Sequence, residues 1–285
     1  VVSTGRVLEN VLSGKAVDIF KFPVPKWHSL DGGRYIGTGD AVITKDPDTG
    51  EVNLGTYRLQ AHDKNTTGWQ MQPTRHGATH RRKYHERGQP CPVAVSIGHH
   101  PLIFRVGSLT LPPGAEYQFA GAIRGAPVKV IREEITGLPI PADSEIVLVG
   151  WCPPDKYRIE GPFGEYTGYY ATEEQERLTI EVERIYHRNE PILVGCPPDR
   201  PPDDSGYFIS LFRSAQLHNE LIKSGIPGVK GVWVTKETNA SFLTVISLEQ
   251  RYAGHAKQAA LFASISRQGR YVVVVDEDID PTNLG

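Results

Sequence analysis

Short apolar runs broken by turn residues fill the first two thirds of this chain, and helix-spaced apolar residues take over afterwards. From Ala41 to Gln60 the pattern is that of a β-hairpin. Ala41-Val42-Ile43-Thr44 leads into Asp46-Pro47-Asp48-Thr49-Gly50, a dense turn signal, and Val52 to Gln60 returns. Further β-like runs stand at Val93–Ile97, Val128–Ile131, Ile146–Gly150 and Leu178–Tyr186, separated by clusters such as Leu111-Pro112-Pro113-Gly114. Short strands with turn signals between them, and few helical stretches, predict a barrel or sandwich over roughly residues 20–195. Cys196-Pro197-Pro198-Asp199-Arg200-Pro201-Pro202 can continue neither strand nor helix and marks a boundary. Beyond it, Phe208, Leu211, Phe212, Ala215 and Ile222 recur at helical spacing. Strands are expected at Gly231–Thr235 and Phe242–Leu248, a helix around His255–Ser266, and a buried strand at Tyr271–Val275. The last third therefore reads as an α/β layer.

Composition narrows the function classes. A chain of 285 residues with a formal net charge of -2 has room for one or two domains and lacks the basic excess of a general nucleic-acid binder. Cys91, Cys152 and Cys196 are far apart in sequence and form no C-x-x-C, which argues against a zinc ribbon or disulfide framework and for a reducing, cytoplasmic setting. No apolar run approaches the ~20 residues of a membrane span, and no signal-peptide core opens the chain. Asn65-Thr66-Thr67 and Asn239-Ala240-Ser241 match glycosylation sequons, without meaning in a cytosolic protein. The chain starts at Val1, has Met71 as its one methionine, and stops just after an apolar run, so an internal piece of a longer protein is expected.

Candidate chemistry concentrates in a few places. Glu160-Gly161-Pro162-Phe163-Gly164-Glu165 sets two carboxylates on either side of a stiff bend, where different surroundings can push their pKa values apart. Read alone, it is also compatible with a turn carrying two solvated glutamates. Asn53 and Arg58 lie on the hairpin's return strand at an odd spacing, which places them on opposite faces unless Gly55 marks a bulge or a close approach. Arg58 offers a planar fork suited to carboxylate or phosphate. His76, His80 and His85 surround Arg81-Arg82-Lys83, where a solvated basic loop is expected and RNA binding is weakly signalled. His99-His100 before Pro101 reads as a turn rather than a metal pair. Asp276-Glu277-Asp278-Ile279-Asp280 could bind a ligand at a strand end or be a charged loop, and Gly254-His255-Ala256-Lys257 could open a helix that receives phosphate. There is no dinucleotide fingerprint and no P-loop.

Taken together, Asn53-x-Gly55-x-Tyr57-Arg58-x-Gln60, His76, Glu116 ahead of Gly121-Ala122, and the glutamate hexapeptide resemble the UbiD-type decarboxylases. Asp31-Gly32-Gly33-x-Tyr35-Ile36, Gly254-His255-Ala256-Lys257 and the acidic run at 276–280 extend the resemblance through the whole chain. It implies an α+β protein. A split β-barrel flavin-binding domain, flavin-reductase-like, would span residues 1–195, and the start of an α/β oligomerisation domain residues 196–285. It further implies prenylated FMN as cofactor, with Mn²⁺ (or Mg²⁺) held by Asn53, His76 and Glu116 against the cofactor phosphate and K⁺ nearby. Such an oxygen-rich set with one imidazole suits these ions. Amides around Thr56 and Tyr57, and Lys257, would assist the phosphate. The family's Glu–Arg–Glu triad falls on Glu160, Arg58 and Glu165. Arg58 would bind the substrate carboxylate, Glu160 would orient Arg58, and Glu165, with a raised pKa, would replace CO₂ with a proton. The implied reaction is reversible decarboxylation of an aromatic, heteroaromatic or α,β-unsaturated acid, with Ser205–Phe212 lining the substrate pocket. Implied partners are a flavin prenyltransferase that supplies the cofactor and further copies of the chain, in a homodimer or homohexamer. The alternatives are a non-catalytic subunit of a carboxylase and a flavin-reductase-like barrel using ordinary FMN.

Overall fold

A computed structural model of the chain describes residues 1–238, 240, 242–266 and 270–283. Asn239 and Ser241 of the second sequon lie outside the described residues. The chain divides into two compact units, one of residues 1–164 and 170–198, the other of residues 165–169 and 199–285.

Connectivity shows why the sheet of the first unit must curl. Its strands follow one another in the order Arg34–Gly37, Leu59–Ala61, Thr66–Gly68, Gln175–His187, Ile146–Cys152, Cys91–Ile97, Asp40–Lys45 and Val52–Gly55. Asn10–Ser13 and Tyr157–Glu160 also pair with the long strand Gln175–His187. Gly55 on the last strand and Leu59 on the second are joined through residues 56–58 alone, a reach of at most about 14 Å. In a flat sheet those strands would stand about 29 Å apart. Thr38-Gly39 spans the same gap between the first strand and the seventh. Two short links thus bring both ends of the sheet together. The architecture is mixed α+β with a curled sheet, buried on both faces. Along Cys91–Ile97 and Ile146–Cys152, Val93, Val95, Ile146 and Leu148 join one apolar cluster while Ala94, Val147 and Val149 join another. The alternation is the two-residue period of a strand.

The hairpin reading from Ala41 to Gln60 holds through its turn, then needs correction. The return run is two strands, Val52–Gly55 paired with Asp40–Lys45 and Leu59–Ala61 paired with Arg34–Gly37, with the crossover between. Three helices break what the sequence reads as a strand-rich region: His76–His85, Pro101–Ser108 and Glu116–Arg124. All three pack against Val52–Gly55. Cys91 and Cys152, distant in sequence, are register partners on adjacent strands and remain free thiols.

In the second unit, Val229–Val234 and Leu243–Leu248 pair antiparallel, and Leu243–Leu248 and Tyr271–Asp276 pair parallel. Helix His255–Ile265 lies between the parallel strands in sequence, as a parallel pair requires. Helix Asp204–Lys223 begins with Asp203 accepting the Gly206 N–H. Its buried line is Ser210, Ser214, Leu217 and Leu221, whereas Phe208, Leu211 and Ile222, which signalled the helix in the sequence, are exposed. Among the described residues no helix is long and apolar enough to cross a membrane.

Candidate active site

The hexapeptide's first acid ends the strand Tyr157–Glu160, and the loop after it is clamped from two sides. The Gly161 N–H donates to Gln60 Oε1 at 3.0 Å, and the Gly164 N–H donates to Asp31 Oδ1 at 2.9 Å. Asp31 also accepts the His28 N–H through Oδ2, and the Gly32 N–H donates to the Pro162 carbonyl at 2.8 Å. Backbone runs against backbone here: a β-carbon on Gly32 would collide with the Gly161 carbonyl. Gly161 itself sits at φ +92°, a conformation that side-chain-bearing residues resist. This explains Asp31-Gly32-Gly33-x-Tyr35 and Gln60, residues whose role the sequence leaves unassigned: they hold the loop.

The clamp fixes an ion pair. Arg58 Nε donates to Glu160 Oε1 at 2.7 Å and Nη2 to Oε2 at 3.0 Å, a bidentate fork. The guanidinium carbon lies 4.5 Å from the centre of the Phe163 ring and 5.9 Å from that of Tyr35. The Glu160 side chain is 2% exposed and that of Arg58 14%, so the acid is sealed and the arginine nearly so. The Tyr35 hydroxyl donates to Gln60 Oε1 at 3.2 Å. Burial first, then the Glu160 charge, pushes the Tyr35 phenol well above its ordinary range, so it remains a neutral donor. At Gly55 the close neighbour is the chain's own Tyr57 ring, with which a β-carbon there would collide, and the crossover follows.

A second group of side chains gathers at the other end of the same stretch. Asn53 and Glu116 are both buried, and Asn53 Nδ2 and Glu116 Oε2 have no hydrogen-bond partner among the described residues. The Leu54 backbone N–H acts on the Glu116 carboxyl, and the first turn of helix Glu116–Arg124 packs on the strand that carries Asn53. The Tyr57 hydroxyl stands by Asn53 and close to Gly77, bringing the start of helix His76–His85 to the same place. Burial raises the Glu116 carboxyl to about 7, against the pull of two backbone N–H groups. A buried carboxylate with an orphaned oxygen, beside an amide and a helix that begins with histidine, fits a hard divalent cation. Among the described residues no group of three or more His, Cys, Asp and Glu side chains could hold a metal ion.

Other candidates have structural duties. The basic run is a helix rather than a solvated loop. His80 is buried with Nδ1 3.0 Å from Thr44 Oγ1, and Lys83 reaches Asp46 at 2.6 Å and Asp48 at 3.1 Å. His85 Nε2 meets the Cys152 carbonyl at 3.0 Å, and Arg81 lies over Trp69. These contacts use side chains that an RNA surface would need. His99 is buried against Ser96, and His100 caps helix Pro101–Ser108. Buried Asp40 stands by the Tyr57 amide at the crossover, and burial drives its pKa well up, a placement without any signal in the sequence. Glu165 and Lys257 belong to the second unit. Glu165 closes a turn, its N–H donating to the Tyr169 carbonyl at 3.0 Å. Lys257 is exposed in the first turn of helix His255–Ile265, after Gly254. In the acidic run, Glu277 pairs with Lys230 and Asp280 accepts from Thr282.

The first unit is thus a curled α+β sheet with a sealed Glu–Arg pair at one end of a crossover and a buried carboxylate beside an amide at the other. Residues 1–201 match the family model for the 3-octaprenyl-4-hydroxybenzoate carboxy-lyase Rift-related domain, and residues 206–285 match that for the carboxy-lyase C-terminal domain. The chain belongs to the UbiD family. It is 35% identical over 292 residues to the pyrrole-2-carboxylic acid decarboxylase of Pseudomonas aeruginosa, covering 98% of this chain and 58% of that protein. An evolved dimeric form of the UbiD-class enzyme HmfF from Pelotomaculum thermopropionicum, in complex with prFMN, superposes with a TM-score of 0.88 at 30% identity, covering 98% of this chain and 64% of that one. Vanillic acid decarboxylase of Sedimentibacter hydroxybenzoicus, in open form, gives a TM-score of 0.89 at 32% identity, covering 100% of this chain and 61% of that one. The chain thus spans less than two thirds of the length of each.

Proposed function

We propose that this chain carries the cofactor- and carboxylate-binding part of a non-oxidative carboxy-lyase that acts on an aromatic, heteroaromatic or α,β-unsaturated acid. The observation behind this reading is the Arg58–Glu160 fork. Glu160 is sealed and takes Nε and Nη2, which fixes the guanidinium plane. A guanidinium fixed in this way is suited to receive a substrate carboxylate as a planar partner. Asn53, His76 and Glu116 would hold Mn²⁺ or Mg²⁺ against the phosphate of prenylated FMN, with K⁺ nearby, and Thr56 and Lys257 would contribute to the same phosphate. The curled sheet is read as the family's split barrel, and homo-oligomers and a flavin prenyltransferase as partners.

In this scheme Arg58 orients the carboxylate, and the carbon–carboxylate bond breaks to release CO₂. When bound, prenylated FMN would supply the electron sink for the pair left on carbon. Glu165 then delivers a proton to that carbon, and the reverse sequence carboxylates it. Glu160 keeps Arg58 turned throughout. Protein co-produced with a flavin prenyltransferase is expected to show a modified-flavin spectrum and to release CO₂ from at least one acid in a screen across these classes. Glu165→Gln should abolish turnover and retain cofactor. Oxidation of NADPH with ordinary FMN, without CO₂ release from any acid, would overturn the reading in favour of a flavin reductase.

A further inference from the structure

The fork accounts for Arg58, but a third ionisable side chain stands beside Glu160. Strands Leu59–Ala61 and Thr66–Gly68 are joined by a tight turn in which the His62 N–H donates to the Thr66 carbonyl at 3.0 Å. Asp63 Oδ1 accepts the Asn65 N–H and stiffens the same turn. The turn delivers the His62 ring over Gly68. A β-carbon at position 68 would lie 2.9 Å from His62 Nε2 and 3.6 Å from Glu160 Cγ, so glycine leaves the space in which ring and acid come together. His62 Nε2 is buried there without a hydrogen-bond partner among the described residues. We propose that His62 is a positioning residue for the Arg58–Glu160 pair: its ring, seated over Gly68, excludes water from the acid's free flank and keeps that carboxylate on Arg58.

The charges around the ring fit this role. Burial and the nearby Arg158 lower the His62 pKa, while Asp63 and Glu160 raise it. A neutral ring brings no second cation to compete with Arg58 for Glu160. The inference rests on Arg58 being the carboxylate-binding arm, yet its first test needs neither cofactor nor substrate.

In protein labelled at histidine and arginine nitrogen, the His62 ring is titrated by NMR in the parent, Glu160→Gln and Arg158→Gln. The midpoint should fall in the first variant and rise in the second; midpoints unmoved in both would overturn the contact. Hydrogen exchange at Arg58 Nε should accelerate at least tenfold in Gly68→Ala and in His62→Ala, and return toward the parent value in His62→Phe, which restores the bulk. Unchanged exchange in both alanine variants would overturn the positioning role, and thermal melts identify any variant that has lost its fold. With loaded enzyme, the alanine variants should lose about tenfold in kcat/KM. If the parent releases no CO₂ while the NMR shifts appear, the functional reading fails and the inference stands. If the parent is active and both NMR arms are flat, the reverse holds.

Discussion

The two ends of the stretch from Asn53 to Arg58 solve the problem of burying charge in opposite ways. At Arg58 the protein supplies both partners, and the sealed Glu160 carboxylate is matched by a bidentate guanidinium. At Asn53 it supplies an acid, an amide and the start of a histidine-led helix, and leaves Glu116 buried with an orphaned oxygen. The first end is preorganised and needs nothing from outside. The second leaves a buried carboxyl whose proton affinity burial raises. The same crossover therefore joins a finished contact to an unfinished one.

Removing one partner at the finished end should have the largest effect. Glu160→Ala removes the buried carboxylate that takes Arg58 Nε and Nη2 and is expected to cost about 3–5 kcal/mol of stability, read from denaturant midpoints. A loss below about 1 kcal/mol would mean that the fork is no more than a surface pair.

The unfinished end should respond to pH and metal together. The Glu116 carboxyl is raised from 4.5 to about 7, so between those values the folded state binds more protons than the unfolded state. Metal-free protein should then lose stability as pH rises through this window, by on the order of 3 kcal/mol at most. Mn²⁺ binds the ionised form, so saturation should reverse the slope and add about 2.7 kcal/mol at a hundredfold excess over Kd. Melting curves from pH 5 to 8, with and without Mn²⁺ and after chelation, check both signs. Glu116→Gln should remove slope and metal response alike, and a metal response that survives in this variant would break the comparison.

A smaller effect is expected from the clamp that holds the hexapeptide beside Arg58. In Gly32→Ala the new methyl meets the Gly161 carbonyl, and the loop must move. The expected cost is about 1–3 kcal/mol, with faster hydrogen exchange at the Gly161 and Gly164 amides. Unchanged exchange there would show that the loop is held from elsewhere.

How much of this is legible in the sequence depends on where the signal resides. The turn Asp46–Gly50 and the strands at 93–97, 146–150 and 178–186 announce themselves through local turn chemistry and two-residue alternation. The helix His76–His85 does not, because its buried residues are Gly77, Ala78 and His80 and it has no apolar stripe to read. Pro101 looks like a break and is in fact the first helical position. The split of the return strand at 56–58 is dictated by sheet closure, which no local pattern encodes. At the site, Arg58, Glu160, Asn53 and Glu116 are recognisable as a set, whereas Asp40 and His62 gain meaning only when the fold sets them against the Tyr57 amide and the Gly68 backbone. In the second unit, the residues that reveal the helix at 204–223 are on its exposed side, since periodicity reports a face without saying which way it points.

The two links that close the sheet also set a rule for chain length. The loop at Asp48–Gly50 projects from a hairpin, and a Cβ on Gly50 would meet open space, so added residues there need only extend into solvent. At 38–39 and 56–58 both flanking strands are already locked in register across the seam. One extra residue there must bulge outward or slip a strand, and a slip turns every side chain of that strand to the opposite face. In a library of single-residue insertions, the turn should accept newcomers freely and the seam should reject them, which makes indel tolerance a direct reading of where the curled sheet is sewn together.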